Sequence, residues 1–122
     1  MKIIPKQFDI YQANLNPRHG SEQVGIRPCL ILQTNGANAV ARTFLMAPLT
    51  SQNLEMVRSY QVFVKKSRYN GLKVDSKIKL DQLRVIDKSR LVKKMGHLEV
   101  DYHAAVFQAI DVMMDRFGDF RA

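Results

Sequence analysis

The chain has 122 residues, which is enough for one domain over residues 1–122 with one modest hydrophobic core. Hydrophobic residues make up 46% of it, which argues against an intrinsically disordered chain. It contains no apolar run of about 18 residues, and its first residues lack the apolar stretch of a secretory signal. The single cysteine, Cys29, excludes an internal disulfide and agrees with a reducing compartment. We therefore expect a cytoplasmic protein without a membrane span.

The positive charge is concentrated in the middle of the chain. The formal net charge is +8, and residues 58–94 carry twelve Lys/Arg against three Asp/Glu. Residues 1–57 are nearly balanced, and residues 95–122 are mildly acidic. A basic stretch of this kind suits a polyanion such as nucleic acid, although a solvated lysine-rich surface fits the charge equally well.

The N-terminal third predicts two strands joined by a long loop. Residues 8–15 alternate in polarity and are rich in strand formers, whereas residues 29–33 form a continuous apolar strand. Between them, residues 16–28 form a loop longer than a hairpin requires, and long loops in compact domains are often functional. Cys29 lies in the apolar run, so we expect it to be a small buried packing residue and not a nucleophile.

Three further strands are predicted in the middle of the chain, at residues 43–47, 60–64 and 76–86. Pro48 is expected to end the third strand. In the fifth strand, Ile78 and Leu80 fall on one face and Lys77, Lys79 and Asp81 on the other, which predicts a side facing solvent or a ligand. Asp87 is then expected to cap a short helical turn over residues 87–91.

The last segment changes period and predicts a helix over about residues 100–117. Apolar residues recur there every three or four positions: Val100, Ala104, Phe107, Ile110, Met114 and Phe117. We expect this stripe to pack against the sheet, with Asp101 in the first turn and Gly118 ending the helix. Short strands followed by one helix predict a mainly β fold, a strongly bent sheet or barrel with a C-terminal helix.

Metal and cofactor sites are not expected, because the chain has no paired Cys/His spacing, no HExxH pattern and no glycine-rich nucleotide loop. Its three histidines stand apart in sequence. We expect His103 to be structural and His97 to lie at the surface, while His19, beside the long loop, is a candidate substrate contact.

Two polar clusters are candidates for chemistry. The loop at residues 20–28 concentrates hydrogen-bonding groups, namely Ser21, Glu22, Gln23 and Arg27. Residues 48–52, Pro-Leu-Thr-Ser-Gln, end the third strand with two hydroxyls and an amide. Taken separately, each cluster is a weak signal, since a lone arginine is usually a surface charge and strand-end Thr or Ser is usually turn chemistry.

Together and in this order, the motifs are specific. They are Asp9-Ile10-Tyr11, Asn16-Pro17, GSEQVGIRP at 20–28, PLTSQ at 48–52, Asp75-Ser76, LDQLRVIDKSRL at 80–91 and the final helix. The sequence resembles the MazF/PemK toxins of bacterial type II toxin–antitoxin systems over nearly its whole length. The resemblance implies an SH3-like barrel, a homodimer and sequence-specific, metal-independent cleavage of single-stranded RNA without a cofactor.

The same resemblance implies roles for individual residues. The family's catalytic arginine and threonine fall on Arg27 and Thr50, and its loop glutamate and glutamine fall on Glu22 and Gln23. Further residues expected at the RNA groove are Ser21, Ser51, Gln52, Lys77, Lys79, Asp81, Gln82 and Arg84. The cations before the fifth strand, Lys65, Lys66, Arg68 and Lys73, are expected to follow the RNA backbone, so that binding weakens with salt.

The chemistry these residue types support is attack of an RNA 2′-hydroxyl on the adjacent phosphate, leaving a 2′,3′-cyclic phosphate and a 5′-hydroxyl. Arg27 would stabilise charge on the phosphoryl oxygens, and Thr50 would orient the phosphate. Glu22 is either the general base or the group that orients Arg27. DNA would bind without being cut, because it lacks the 2′-hydroxyl.

The expected partner is an acidic, partly disordered antitoxin segment that covers the basic groove and Arg27, with DNA contacted only through the toxin–antitoxin complex. One departure concerns the start of strand one, where many members have Arg-Gly-Asp and this chain has Gln7-Phe8-Asp9. Two other hypotheses remain open: a non-enzymatic gyrase-binding toxin of the CcdB type on the same fold, and a basic DNA-binding or structural protein. The second lacks a recognition helix, because its only strong helix is acidic.

Overall fold

Seven antiparallel strands and a C-terminal helix form the framework of residues 4–17 and 20–118, the part of the chain that the computed structural model describes. The strands are β1 Asp9–Asn14, β2 Ile26–Ile31, β3 Thr43–Thr50, β4 Gln61–Val64, β5 Ser76–Lys79, β6 Arg84–Asp87 and β7 Leu91–His97. The helices are α1 Asn35–Asn38 and α2 His103–Met113, with 3₁₀ turns at Leu80–Gln82, Lys88–Arg90 and Val100–Tyr102. No helix in these ranges is long and apolar enough to cross a membrane.

The strands pair in the order β4-β5-β3-β2-β1-β7, and each neighbouring pair is antiparallel. β6 lies off this path and pairs with residues 43–46 of β3, while β5 pairs with Leu49 and Thr50 on that strand. The mainly β fold with a C-terminal helix confirms the predicted fold class, and its strand order is compatible with an SH3-like barrel.

Both faces of the central strands are buried. Ile10, Leu30 and Leu49 belong to a cluster that also contains Val106 and Ala109 of α2. Their neighbours on the same strands point the other way, into a second cluster: Tyr11, Ala13, Cys29, Ile31, Phe44, Met46 and Ile86 among them. Two-sided burial explains why residues 29–32 read as a continuous apolar run and not as an alternating one.

Three of the predicted strand limits are wrong. β2 begins at Ile26 and not at residue 29, because Arg27 and Pro28 pair with Ala13 and Gln12 of β1 and so belong to the strand. β3 does not end at Pro48 but continues through it to Thr50. Pro48 falls between the part of β3 that pairs with β6 and the part that pairs with β5, where that edge has a break in its ladder, so the missing N–H is tolerated. The predicted fifth strand is in fact two strands, β5 and β6, separated by the Leu80–Gln82 turn.

The predicted helix is shorter than expected, and its predicted buried stripe is only partly right: Ile110 packs on the core and Phe107 packs on Phe8, but the other stripe residues are exposed. The α-helix begins only at His103, after a 3₁₀ turn that contains Asp101, and it ends at Met113, before Gly118. Because 3₁₀ turns have three residues per turn, the ends of the stripe do not keep the helical spacing. Val106 and Ala109 face the sheet instead, and Val100, Met114 and Phe117 are each about 70% exposed.

The predicted cap at Asp87 is confirmed. Its carboxylate accepts a hydrogen bond from the backbone N–H of Ser89 at 2.8 Å, at the start of the Lys88–Arg90 turn. The hydrogen bond from Ser89 holds the pKa of Asp87 below its usual value. This capped turn leads directly into β7.

Phe8 adopts a left-handed backbone conformation with φ of 71°. Two hydrogen bonds fix that backbone, from its N–H to the carbonyl of Ile31 and from the N–H of Leu98 to its carbonyl. Its buried ring stacks on His103 with the ring centres 3.6 Å apart, and Phe107 meets it edge-on at 5.5 Å. Ring packing therefore offsets a backbone strain of about 1–2 kcal/mol.

We expect both Phe8→Ala and Phe8→Gly to be less stable than the parent, because the lost packing of a buried phenylalanine, about 3–5 kcal/mol, exceeds the strain. Only glycine also relieves the positive φ, so Phe8→Gly should be more stable than Phe8→Ala by about 1 kcal/mol. Urea unfolding of the three proteins measures both differences. A Phe8→Gly variant at least as stable as the parent would contradict this account.

Cys29 is fully buried, as predicted. Burial raises the pKa of its thiol to about 12, and the positive charges of Arg84 and Arg27 only partly oppose that effect. The thiol is therefore neutral at physiological pH and is not a nucleophile.

We expect Cys29 in the native protein to resist alkylation by iodoacetamide at about pH 8 and to react fully in denaturant. Mass spectrometry of both samples measures the modified fraction. Rapid labelling of protein that stays folded would show that the thiol is reachable, and the assignment to the core would be wrong.

Candidate active site

The pairing of β2 with β3 brings the two polar clusters together. Cys29 pairs with Pro48, Leu30 with Ala47 and Ile31 with Met46, so each step back along β2 is a step forward along β3. Continued by two positions, this register sets Arg27 opposite Thr50. Residues at opposite positions project from the same face of a sheet, so the two side chains share one surface.

Arg27 is half-buried at the beginning of β2 and is held against its own loop. Its Nε donates a hydrogen bond to the carbonyl of Val24 at 2.7 Å. The end of the loop is fixed as well, because the N–H of Leu15 donates to the carbonyl of Gly25 and the N–H of Gly25 donates to the side chain of Asn16. The guanidinium group therefore has a defined position before any ligand arrives.

Arg84 lies in the same neighbourhood as Arg27. Both guanidinium groups lower the pKa of the buried Cys29 thiol, so both charges act on one point beneath the site. Arg84 pairs with Met46 on β3, on the side opposite to β2. The positive charges of Arg27 and Arg84 favour an anionic ligand on this part of the surface.

Thr50 is 6% exposed and ends β3. Its Oγ1 accepts a hydrogen bond from the backbone N–H of Gln52 at 3.2 Å. A hydroxyl has one hydrogen to donate and two lone pairs, so this contact orients the group and leaves its hydrogen able to reach a ligand oxygen.

A cleft of about 280 Å³ opens beside Thr50. Its lining includes six of the predicted site residues: Gln23, Thr50, Gln52, Lys77, Lys79 and Asp81. Five more belong to the segment before and at the start of β4, which sequence reasoning missed: Asn53, Met56, Arg58, Tyr60 and Gln61. The sequence did contain a signal for these residues. Arg58, Tyr60 and Gln61 are polar groups where a loop leads into a strand, as Arg27 is.

The remaining predicted residues border the cleft without lining it. Gln82 accepts a hydrogen bond from the N–H of Gln23 at 3.4 Å, which ties the long loop to the turn after β5. Ser21, Glu22 and Ser51 are exposed on the two segments that meet at the cleft. The structure therefore brings half of the predicted set together in the cleft lining, and Arg27 and Arg84 are not part of that lining.

Lys77 differs from the expected solvent-facing cation, because it is only 5% exposed. Its ammonium group donates to the carbonyls of Asn53 at 2.9 Å and Met56 at 2.7 Å. These bonds satisfy the buried charge and fix the segment that forms one wall of the cleft. Lys79 is half-buried and lines the cleft two residues further along β5.

Asp81 is the acidic member of the cleft, and its carboxylate accepts a hydrogen bond from Nε2 of Gln61 at 3.2 Å. The cleft thus combines cations and amides with one carboxylate. Such a lining can hold phosphate groups and can also accept hydrogen bonds from the amino groups of nucleic-acid bases.

The histidines lie elsewhere. His97 is half-buried, with Nδ1 2.9 Å from the buried carboxylate of Asp9, and does not occupy the free surface position expected for it. His103 contacts the carbonyl of Leu98 through Nε2 and stacks on Phe8, in keeping with a structural role. His19 lies outside the described residues. Across residues 4–17 and 20–118, no group of three or more His, Cys, Asp or Glu is arranged to hold a metal ion.

We expect Lys77→Met to lower the free energy of unfolding by about 3 kcal/mol, because it removes two charge-assisted hydrogen bonds and leaves two carbonyls unpaired. It should also speed hydrogen exchange of the backbone amides at residues 53–60. Urea unfolding and exchange mass spectrometry measure the two effects. The matched control Lys93→Met, at an exposed lysine of β7, should cost about 0.5 kcal/mol or less, and equal losses in both variants would contradict the role of Lys77.

Comparison with known proteins supports a single family. A family model described as PemK-like, MazF-like toxin of type II toxin-antitoxin system matches residues 6–114. The chain is 37% identical over 112 residues to Endoribonuclease EndoA of Bacillus subtilis, covering 92% of this chain and 96% of the relative.

Solved structures share the fold. MazF from Deinococcus radiodurans superposes with a TM-score of 0.79 at 23% identity, covering 93% of this chain and 99% of that one. A MazE-MazF structure from the same organism gives a TM-score of 0.69 at 21% identity, covering 97% and 99%. At these identities the two structures support the architecture alone.

Proposed function

We propose, because this chain belongs to the PemK-like, MazF-like toxin family of type II toxin–antitoxin systems, that it is the toxin of such a system and acts as an endoribonuclease. The observation that carries the proposal is the pairing of β2 with β3, whose register, extended by two positions beyond Cys29 and Pro48, aligns Arg27 with Thr50 at a cleft lined by cations and amides. The whole of residues 1–122 would act as one toxin domain. The family match disfavours the gyrase-binding and general DNA-binding hypotheses.

The substrate is single-stranded RNA, whose backbone can bend to present one phosphate to Arg27 and Thr50. The 2′-oxygen attacks the adjacent phosphorus while the bond to the 5′-oxygen breaks. The 2′-hydroxyl loses its proton to a base, and the departing 5′-oxygen gains one, which leaves a 2′,3′-cyclic phosphate and a 5′-hydroxyl. No step requires a metal ion, since positioned hydrogen-bond donors can stabilise the charge that develops on the phosphoryl oxygens.

The two central residues have complementary roles. Arg27, fixed through Nε by Val24, stabilises the developing negative charge with its guanidinium group. Thr50, oriented by the N–H of Gln52, donates its hydroxyl hydrogen to a phosphoryl oxygen. Glu22, exposed on the same loop, is the candidate base for the 2′-hydroxyl proton, and its alternative role is to orient Arg27.

The surrounding residues bind the RNA. Lys79 and Arg84 contact phosphates, and Asp81 and Gln82 accept or donate to base edges. Ser21, Gln23, Ser51 and Gln52 contribute further polar contacts from the two segments that meet at the cleft. Lys77 acts through the wall that it holds in place. Single-stranded DNA binds in the same cleft and is not cut, because it has no 2′-hydroxyl.

The same surface accounts for the partners. An acidic antitoxin segment would neutralise the cleft and cover Arg27, and DNA would be contacted only through that complex. A homodimer would cover part of the exposed apolar surface at Val100, Met114 and Phe117. We place this activity in the cytoplasm, where mRNA is available.

We expect purified protein to cut single-stranded RNA in excess EDTA, and Arg27→Ala and Thr50→Val each to lower kcat about 100-fold or more. Arg27→Lys should recover little of the loss, because lysine keeps the charge without the planar fork. Mapping of the 5′ and 3′ ends of the products identifies the predicted cyclic phosphate and 5′-hydroxyl.

The matched control is Thr43→Val, at the exposed first residue of β3, which should retain full activity. Full activity in both Arg27→Ala and Thr50→Val would overturn the site assignment. Absence of cleavage across a broad RNA library by folded parent protein would overturn the function itself.

A further inference from the structure

One face of the β4–β5 hairpin continues the cleft surface beyond its edge. Side chains alternate along a strand, so Gln61, Phe63 and Lys65 project from the same side of β4. Gln61 lines the cleft opposite Lys79, and Phe63 lies opposite Lys77. The other side of β4, with Val62 and Val64, is buried in the cluster that contains α2.

Phe63 is 41% exposed although it lies in the middle of a strand. It is not part of either buried cluster and does not line the cleft, so neither the core nor the cleft explains an aromatic ring at this position. Its position is about 6–7 Å along the strand from Gln61. An exposed ring next to a cationic cleft is a place where an unpaired base can stack.

The connection from β4 to β5 is tightly built. Asn70 is fully buried, and its side chain accepts hydrogen bonds from the N–H groups of Ser67 and Leu72 and donates to the carbonyl of Lys65 and to Glu99. The Ser67 hydroxyl also donates to Glu99 at 2.8 Å. Burial alone would raise the pKa of Glu99, but the hydrogen bonds from Ser67 and Asn70 hold it below its usual value, so the anchor is a carboxylate at neutral pH.

Gly71 adds a second constraint on this connection. Its φ is +74°, and a Cβ there would lie 2.0 Å from the carbonyl oxygen of Met95. The segment therefore packs its backbone directly on β7. A connection that is fixed in this way holds its outward side chains in position at little further cost in entropy on binding.

This fixed connection presents positive charge outward. Lys66, Arg68 and Lys73 line a surface depression of about 420 Å³, and Lys65 is exposed at the end of the Gln61–Phe63 row. The one nearby carboxylate on the connection, Asp75, accepts a hydrogen bond from the backbone N–H of Lys66. The charge of the surface is thus strongly positive, in contrast to the mixed lining of the cleft.

We propose that Phe63 and the cationic connection, Lys65, Lys66, Arg68 and Lys73, form an accessory subsite for nucleotides that flank the cleaved phosphodiester bond. The inference rests on the proposed RNA-cleaving function and adds a path for the strand. The cleaved bond lies in the cleft, a neighbouring base stacks on Phe63, and the next phosphates meet the cations of the connection. Stacking and phosphate contacts tolerate any base, so the subsite adds affinity for longer RNA without adding sequence preference.

The test compares substrate lengths. The cut site is first mapped on a long mixed-sequence transcript, and two RNAs centred on it are then made, of about 6 and about 16 nucleotides. We expect Phe63→Leu to lower kcat/KM about tenfold on the long RNA and to leave the short RNA unchanged. Phe63→Tyr, which keeps the aromatic face, should retain the parent value.

Charge is tested separately by salt. Lys66→Ala combined with Arg68→Ala should weaken binding of the long RNA and reduce the slope of log affinity against log salt by about 1–2. Arg42→Ala is the matched control, an exposed arginine one residue before the start of β3 and about 26 Å along that strand from Thr50. It should leave cleavage of both RNAs unchanged. Thermal unfolding checks that each variant is folded.

Failure of the inference is distinguishable from failure of the proposed function. If the parent cuts both RNAs and the Phe63 and lysine–arginine variants behave like it on the long one, the subsite is absent although the function holds. If the parent cuts no RNA, the function fails, and anisotropy with a mixed-sequence single-stranded 2′-O-methyl RNA of about 16 nucleotides decides: unchanged affinity in Phe63→Leu overturns the subsite. Variants that bind this RNA normally but no longer bind an acidic antitoxin peptide would also overturn the subsite, and they would assign this surface to protein binding.

Discussion

Strand β3 uses both of its edges: β2 pairs along one of them, and β6 followed by β5 pair along the other. Its register with β2, extended by two positions beyond the last pair, aligns Arg27 with Thr50, and its register with β5 places Lys77 opposite the same threonine. A slip of one residue would exchange the two buried faces and turn Thr50 away from both partners. Because both faces of β3 are buried, such a slip is opposed by the whole of the core.

The cleft is held by polar contacts that leave its ligand-binding groups exposed. A buried ammonium group satisfied by two carbonyls supports one wall, and the long loop is tied down by backbone bonds at its end and by Gln82. This arrangement places positive charge close to Thr50 without relying on flexible surface lysines. Preorganised charge of this kind is what an enzyme needs in order to stabilise a transition state without reorganising during the reaction.

Much of the fold and of the site could be predicted from the sequence, and the failures have physical causes. The first two strands followed from alternation and apolar runs, and the Asp87 cap followed from local hydrogen-bond chemistry. The break between β5 and β6 was missed because Leu80 and Leu83 keep the apolar pattern running through the turn. The burial of Lys77 was not predictable, since its partners Asn53 and Met56 lie far away in the sequence and act through backbone carbonyls that have no side-chain signature. The helix stripe failed because α2 carries apolar residues on more than one face, so periodicity alone could not show that Val106 and Ala109, and not Ala104, face the sheet.

The conformation of Phe8 limits which substitutions its neighbours tolerate. A glycine adopts a positive φ without strain, so it would need no packing contact to offset strain at this position. A phenylalanine in a left-handed conformation is tolerated only while His103 and Phe107 cover its ring. Once those contacts exist, loss of the ring opens a hole in the core that glycine cannot fill. The three positions are therefore coupled: replacing His103 or Phe107 with a small residue would expose the strain at Phe8, so the effects of substitutions at these positions should not add.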